Sequence, residues 1–586
     1  RLFYIQVIDD SYQLSADNQS HRYVTQYPSR GLLYDRHGAL LIYNEAAYDL
    51  MVIPRDVQAM DTAGFCALLG IDRASFDERL SKARSFSRRK ASVFEKQISA
   101  DAFASISEKL YKYPGFFGRK TSLRRYPAPI GAHVLGYLSE VSPEVVRQDT
   151  YYENGDYHGT RGLERSYEPI LRGERGMKVL TVDVHNVIKG SFQDGALDKP
   201  AVPGTDLVTT LDATLQAYGE QLMVNKKGSI VAIEPHSGEI LALVSAPAYD
   251  PNRLVGRDRN TEYRHLVNND SLDPLFNRAL MAEYPPGSIF KMVQALIGMQ
   301  EGVLNEHTGF SCNKSLVGCH NHPAASTLER GIQYSCNPYF YHAFKRIVNQ
   351  GKSPSIFKDT ELGLAPWKEH MLSFGLGQRL DLDLPHLKKG QIPGVDLYDN
   401  IYGQGRWAFS TIYSISIGQG EVAVIPLQMA NLAAIIANRG HYYTPHLVKS
   451  IGQDGEKPER YREKHLTTVD RNHYDIVVNA MQRVVESPGG TARRARIDSV
   501  AVCGKTGTAE NPHGEDHSVF IAFAPKDDPK IAMAVYVENA GFGGTWAAPI
   551  ASLMMEKYLT GTIKHPEKEQ RILEADFLQP VDEDAD

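Results

Sequence analysis

Apolar positions in this chain follow two regimes that change near residue 203. Before that point the runs are short and irregular, broken by Tyr, Arg and turn residues. Residues 29–38 read as strand, turn, strand, because Asp35 to Gly38 are turn chemistry between apolar runs. Residues 65–107 mix charged and apolar positions at helical spacing and predict small surface helices. Residues 159–176 predict a helix stopped by glycine, with a strand over 177–182. After the Pro- and Gly-bearing junction at 200–204 the pattern becomes regular. A strand is predicted at 207–212, an amphipathic helix at 213–224, and a hairpin from 229–235 and 239–246 around Pro235-His236-Ser237-Gly238. A strongly apolar helix covers 426–438, and strands return at 499–504, 518–525 and 531–538. Strands at both ends with helices between them predict an α+β fold whose sheet is assembled from distant segments.

Composition narrows the function classes. At 586 residues two or three domains are expected, and 42% hydrophobic with 23% charged residues suits a globular protein. A net charge of -6 without a long basic run argues against nucleic-acid binding. No apolar run reaches the roughly 18 residues of a membrane span. Residues 1–8 are largely apolar and turn polar at Asp9-Asp10; they read as a first strand or as the stub of a membrane anchor.

Three strings carry the chemistry. Ser288-Ile289-Phe290-Lys291 follows the breaker Tyr284-Pro285-Pro286-Gly287 and opens a helix apolar on nearly every side. Such a helix is buried, so Ser288 and Lys291 share one face and the buried amine loses proton affinity. It can then take the serine proton. Ser335-Cys336-Asn337 supplies a hydroxyl to relay protons and an amide to hold substrate. Lys505-Thr506-Gly507-Thr508 stands at the end of a strand read at 500–504, where Gly507 lets a substrate backbone lie against the strand edge. Lys505, Thr506 and Thr508 offer donors to a carboxylate. The N–H groups of Ser288 and Thr508 are the expected oxyanion hole. Ser87-Arg88-Arg89-Lys90 and Ser311-Cys312-Asn313-Lys314 also fit S-x-x-K but lack the breaker and the apolar helix.

In this order the strings resemble the penicillin-binding proteins. Arg30-Gly31, Asp35-Arg36, Gly38, residues 133–137, Gly162-Leu163-Glu164 and Tyr167 resemble the class B pedestal, and Ser416-Ile417-Gly418-Gln419-Gly420 a transpeptidase landmark. The chain is most similar to the elongation-type branch. The resemblance implies an irregular β-rich pedestal over 1–203 with a small helical head at about 50–130. It implies a penicillin-binding/β-lactamase-like transpeptidase domain, a central antiparallel sheet flanked by helices, over 204–565. Residues 566–586 read as an acidic, disordered tail. The implied activity is peptidoglycan D,D-transpeptidation through a Ser288 acyl-enzyme, with β-lactams acylating the same serine and no cofactor for catalysis. Implied partners are a SEDS-family glycosyltransferase and elongasome scaffold proteins, and the implied place is the periplasmic side of the inner membrane, held by a single N-terminal anchor. A carboxypeptidase or β-lactam hydrolase, and a non-catalytic scaffold, are the competing readings.

Cys312, Cys319, His320, His322 and Cys336 lie close together in sequence. Three thiols and two imidazoles in one segment are the ligand inventory of a closed tetrahedral zinc site. Cys312, Cys319, His322 and Cys336 are the expected ligands, as structural zinc sites in some elongation-type relatives also imply, with His320 competing. The alternative is a Cys312–Cys319 disulfide.

Overall fold

The computed structural model describes residues 21–183, 188–453, 455–512 and 514–578. The anchor reading of residues 1–8 lies outside them. Among the described residues no helix is long and apolar enough to cross a membrane.

In the N-terminal part the expected hairpin forms: Leu33–Tyr34 pairs antiparallel with the long strand Leu40–Val52, and Asp35 N–H donates to Ala39 O across the turn. The strand Leu40–Val52 continues into the head, where Phe116–Arg125 and Ser92–Ser99 flank it. The helices Thr62–Leu69, Arg73–Phe86 and Ala100–Ser107 are present. The helical reading of 65–107 is nevertheless corrected by the strand Ser92–Ser99 in its middle. That strand buries a charge, Glu95, which is paired with Arg79 and Arg257 from other elements, and no local pattern announces this. Nor are the helices mere surface features: Phe65, Phe76, Phe94 and Phe116 form a separate aromatic core.

Arg30 and Glu164, from two motifs 134 positions apart, meet in a buried ion network. Arg30 Nε donates to Glu164 Oε2 at 2.7 Å, Arg124 Nε to Glu164 Oε1 at 2.7 Å, and Arg30 also binds Glu168. The junction is no free linker. Leu207–Thr209 pairs parallel with Leu33–Tyr34 and antiparallel with Val448–Ile451, so one sheet crosses the sequence boundary. Tyr167 OH donates to Asp383 Oδ2 at 3.0 Å, and Asp383 accepts from the Leu447 and Val448 N–H groups beside it.

The C-terminal part is built on five antiparallel strands: β1 (Gly228–Ile233), β2 (Ile240–Ala246), β3 (Cys503–Ala509), β4 (His517–Ala524) and β5 (Ile531–Val537), in spatial order β2-β1-β5-β4-β3. Every residue of β1, β2 and β5 is buried, so both sheet faces are covered. The covering helices include α1 (Lys291–Gln300), α2 (Asn337–Val348), α3 (Pro426–Ala437), α4 (Tyr474–Glu486) and α5 (Ala547–Thr560). All of α3 is buried, as its apolar run predicts. Among the described residues β3 pairs with β4 alone and is an edge strand, the kind of strand that can take up an extended chain.

The tail reading from residue 566 is corrected in its first part. Pro566–Glu574 is a helix that buries Ile572, and beyond it Phe577 packs its ring 4.9 Å from that of Trp546. Charge hid an amphipathic face with one apolar anchor.

Candidate active site

The breaker before Ser288 works as a hinge. Gly287 has φ +56, and its N–H donates to Gly418 O at 2.9 Å. From there a 3-10 turn, Gly287–Phe290, runs into α1. Ser288 is half-buried at this start. Lys291 follows one turn later and is fully buried.

Ser335 stands between the helix Leu328–Gln333 and α2 with φ +54, a left-handed conformation uncommon outside glycine. Its strained turn aims the hydroxyl at two amines. Lys291 Nζ lies 3.2 Å and Lys505 Nζ 2.9 Å from Ser335 Oγ. Lys291 also donates to Ser335 O at 2.7 Å and Asn337 Oδ1 at 2.5 Å, and Lys505 to Thr506 O at 2.8 Å.

Desolvation in this closed site pushes Lys291 down to about 7, with the Cys319 and Cys336 sulfurs opposing part of the shift. It holds Lys505 well below the ordinary lysine range, with the Lys291 charge adding to the effect. Two amines sharing one hydroxyl resist carrying two full charges near neutral pH. A neutral Lys291 would spend its two N–H bonds on the carbonyl oxygens of Ser335 and Asn337. Its lone pair then faces the Ser335 hydroxyl.

Lys505 to Thr508 lie inside β3 rather than beyond a strand ending at 504, which corrects the strand boundary. Lys, Thr and Gly form an unpromising local strand sequence. Tertiary fit overrides it: a Cβ at Gly507 would meet Pro286 O at 3.1 Å and Ile289 at 3.0 Å. Gln419 Nε2 donates to Thr508 O at 3.3 Å from outside the sheet. N–H and C=O of one residue in an antiparallel strand point to the same side, so Thr508 N–H also faces the Ser288 side. Ser416-Ile417-Gly418-Gln419-Gly420 thus holds the serine turn through Gly418 and the β3 edge through Gln419.

Two contributors escape sequence reading. Thr491 Oγ1 lies 2.8 Å from Thr506 Oγ1, and a Cβ at Gly543 would meet Val519 O at 2.2 Å and Gly507 O at 2.3 Å. Nothing local marks Thr491; the Gly543-Gly544 pair was a legible sign of close backbone approach. The decoys fall away. Ser87 Oγ caps the N–H groups of Arg89 and Lys90, and Lys314 Nζ donates to Asn321 Oδ1.

Cys312, Cys319, His322 and Cys336 bring their donor atoms within 4.8 Å of one another. His322 Nε2 is 3.5 Å from Cys312 Sγ and 3.4 Å from Cys319 Sγ. Zn–S near 2.3 Å and Zn–N near 2.0 Å in a tetrahedron require about 3.5 Å between sulfur and nitrogen. His322 Nδ1–H donates to Pro323 O at 2.7 Å, leaving Nε2 as the ligating nitrogen. His320 lies outside the foursome, its ring 5.1 Å from that of His322. None of the five cysteines is in a disulfide, so the Cys312–Cys319 bridge is not formed. The donor set and spacing fit zinc.

Residues 228–556 match the penicillin binding protein transpeptidase domain, and residues 25–209 the penicillin-binding protein dimerisation domain. The peptidoglycan D,D-transpeptidase MrdA of Acinetobacter baumannii is 30% identical, covering 97% of this chain and 86% of the relative. A penicillin-binding protein (PBP2) from Helicobacter pylori, solved in complex with MreC, shares the fold with a TM-score of 0.74 at 23% identity, covering 93% of this chain and all of that one. A peptidoglycan synthase complex described as coordinating polymerization and crosslinking contains a chain with a TM-score of 0.71 at 26% identity, covering 96% of each. With two amines on one hydroxyl, a serine at the head of a buried helix and an edge strand beside it, the chain belongs to the class B penicillin-binding proteins of the PBP2/MrdA type and is a serine peptidoglycan D,D-transpeptidase.

Proposed function

We propose that Ser288 is the nucleophile and Lys291 its general base. Ser288 Oγ attacks the carbonyl of the penultimate D-Ala of a stem peptide, and its proton passes to Lys291 Nζ. The N–H groups of Ser288 and Thr508 receive the oxyanion. When the C–N bond breaks, Ser335 passes a proton to the departing D-Ala amine. A neighbouring stem's amine then attacks the ester, loses its proton along the same route, and releases Ser288. Lys505 with the Thr506 and Thr508 hydroxyls receives the donor's terminal carboxylate, while Gly507 admits its backbone to the β3 edge. Asn337 keeps one amide N–H for substrate, the rest of its side chain being engaged by Lys291 and Gly318.

The observation that carries this reading is the convergence of Lys291 and Lys505 on Ser335 Oγ. Mass spectrometry after β-lactam treatment tests it: one adduct on the Ser288 peptide is expected, absent from Ser288→Ala. An adduct at another position, or one surviving the substitution, would overturn it.

The pedestal over 1–203, the transpeptidase domain over 204–565 and an anchored, periplasmic setting are read here as in the family. Cys312, Cys319, His322 and Cys336 are assigned to a structural zinc ion, which would fasten the Cys336 turn without joining the reaction. Partners are inferred to be an MreC-type scaffold and a SEDS-family polymerase, in line with the assemblies solved for the two structural relatives.

A further inference from the structure

A cavity of about 440 Å³ opens where the pedestal meets the transpeptidase domain, and no residue of the three catalytic strings lines it. His133, Tyr137 and Arg161 come from the pedestal side; Tyr249, Tyr263 and the turn at 273–277 come from the other. Its volume lies in the small-ligand range of about 300–1,000 Å³.

Two polar atoms of its lining are left without partners. His133 Nε2 and Asn277 Oδ1 are buried and make no hydrogen bond among the described residues. Burial first, then the Arg278 and Arg161 charges, hold His133 neutral at about 3, and its other ring nitrogen is taken by Pro274. Nε2 is therefore a bare acceptor. Buried acceptors of this kind call for a donor. The backbone is strained on the same walls: Asp273 has φ +42 and His386 φ +63, and strain of this sort gathers at functional sites.

The lining also selects the donor. Beside His133, an ammonium group would meet the Arg161 and Arg278 charges that already oppose a positive charge there, whereas a hydroxyl would not; Asp273 on the opposite wall can accept a second hydroxyl. Tyr249 and Tyr263 offer aromatic faces to an apolar ring surface, with Tyr249 braced edge-on by His133 at 5.3 Å. Arg161 can donate to a carboxylate or carbonyl oxygen. Hydroxyl donors, an apolar ring face and one acidic or carbonyl substituent together describe a sugar acid or N-acylated sugar.

We propose that this cavity binds a sugar unit of a peptidoglycan glycan strand at a subsite separate from the acylation centre. The sugar class rests on the cavity; its source in peptidoglycan rests on the transpeptidase activity. Such a subsite would hold the donor strand while its stem peptide reaches Ser288.

The test uses the peptide-free disaccharide of N-acetylglucosamine and N-acetylmuramic acid, read by saturation-transfer NMR and calorimetry, on protein whose Ser288 is already acylated by a β-lactam. Saturation transfer is expected to persist after acylation, and Arg161→Ala is expected to weaken the disaccharide at least fivefold while leaving the acylation rate unchanged. Should Arg161→Ala fail to acylate and thus to fold, Tyr263→Ala takes its place with the same expectation. Absence of transfer, displacement by the β-lactam, or indifference to the substitution overturns the site. Maltose binding as tightly overturns the assignment to a peptidoglycan sugar. Acylation of Ser288 is measured separately, so loss of the catalytic reading and loss of the subsite are told apart.

Discussion

Asn337 Nδ2 donates to Gly318 O at 2.6 Å, while Asn337 Oδ1 accepts from Lys291 Nζ at 2.5 Å. One side chain therefore ties the Cys/His loop to the buried amine one turn after Ser288. Cys336, between Ser335 and Asn337, belongs to the four-donor cluster, and Gly318 directly precedes Cys319. Whatever fixes that loop also fixes the orientation of Lys291.

Metal content follows from this. Purified protein is expected to hold about one zinc per chain, and Cys336→Ser to hold none. Losing the clamp should slow β-lactam acylation about 10- to 100-fold, the usual range when the support of a site is removed. Cys66→Ser and Cys503→Ser, outside the cluster, should leave metal and rate unchanged. Elemental analysis beside stopped-flow acylation measures both. Zinc retained in Cys336→Ser would remove Cys336 from the ligand set.

The pH dependence has a definite sign. Burial lowers Lys291 to about 7, and the amine acts as a base only when neutral. Acylation should therefore rise as pH increases through about 7 and level off above it. Lys291→Arg replaces the amine with a group that stays protonated, so it should lose activity across the whole range. A rate flat from pH 5 to 9 would assign the base elsewhere.

What the chain discloses locally and what it hides divide along physical lines. The serine helix was legible because Pro285, Pro286 and Gly287 break the chain just before an apolar run, and those same residues make the turn. Arg30 and Glu164 were legible only as motif letters; their pairing is a tertiary fact. The β3 boundary was misread because an edge strand shaped for a ligand contains residues that a stable inner strand avoids. Ser92–Ser99 was missed because its buried charge is neutralised by Arg79 and Arg257 from other elements. Thr491 reaches Thr506 through folding alone.

Glu164 offers a test of how separable the two parts are. It is fully buried between Arg30 and Arg124, so Glu164→Ala leaves two buried guanidinium groups short of a carboxylate. Breaking one partner of such a network costs about 3–5 kcal/mol. The thermal midpoint should fall by several degrees while surviving protein still acylates at Ser288. Calorimetry paired with fluorescent β-lactam labelling reads the two effects. An unchanged midpoint would mean that the network contributes nothing to stability.

Gly287 carries a severe steric demand at the serine turn. Its φ of +56 suits glycine, and a Cβ there would stand 2.3 Å from Thr508 O. Gly418 presses from the other side, its own Cβ position 2.2 Å from Gly287 O. Gly287→Ala must therefore push β3 away from Ser288 or unwind the serine turn. Either movement separates the nucleophile from the Thr508 N–H. A misplaced oxyanion donor costs roughly 10²–10³ in rate, so acylation should fall by at least that factor while the protein remains folded by far-ultraviolet circular dichroism. Gly302→Ala is the matched control: its φ is also positive, at +69, but its Cβ would meet nothing within 4 Å. If Gly287→Ala acylates as fast as this control, the backbone contact between the serine turn and β3 is not what sets the oxyanion geometry.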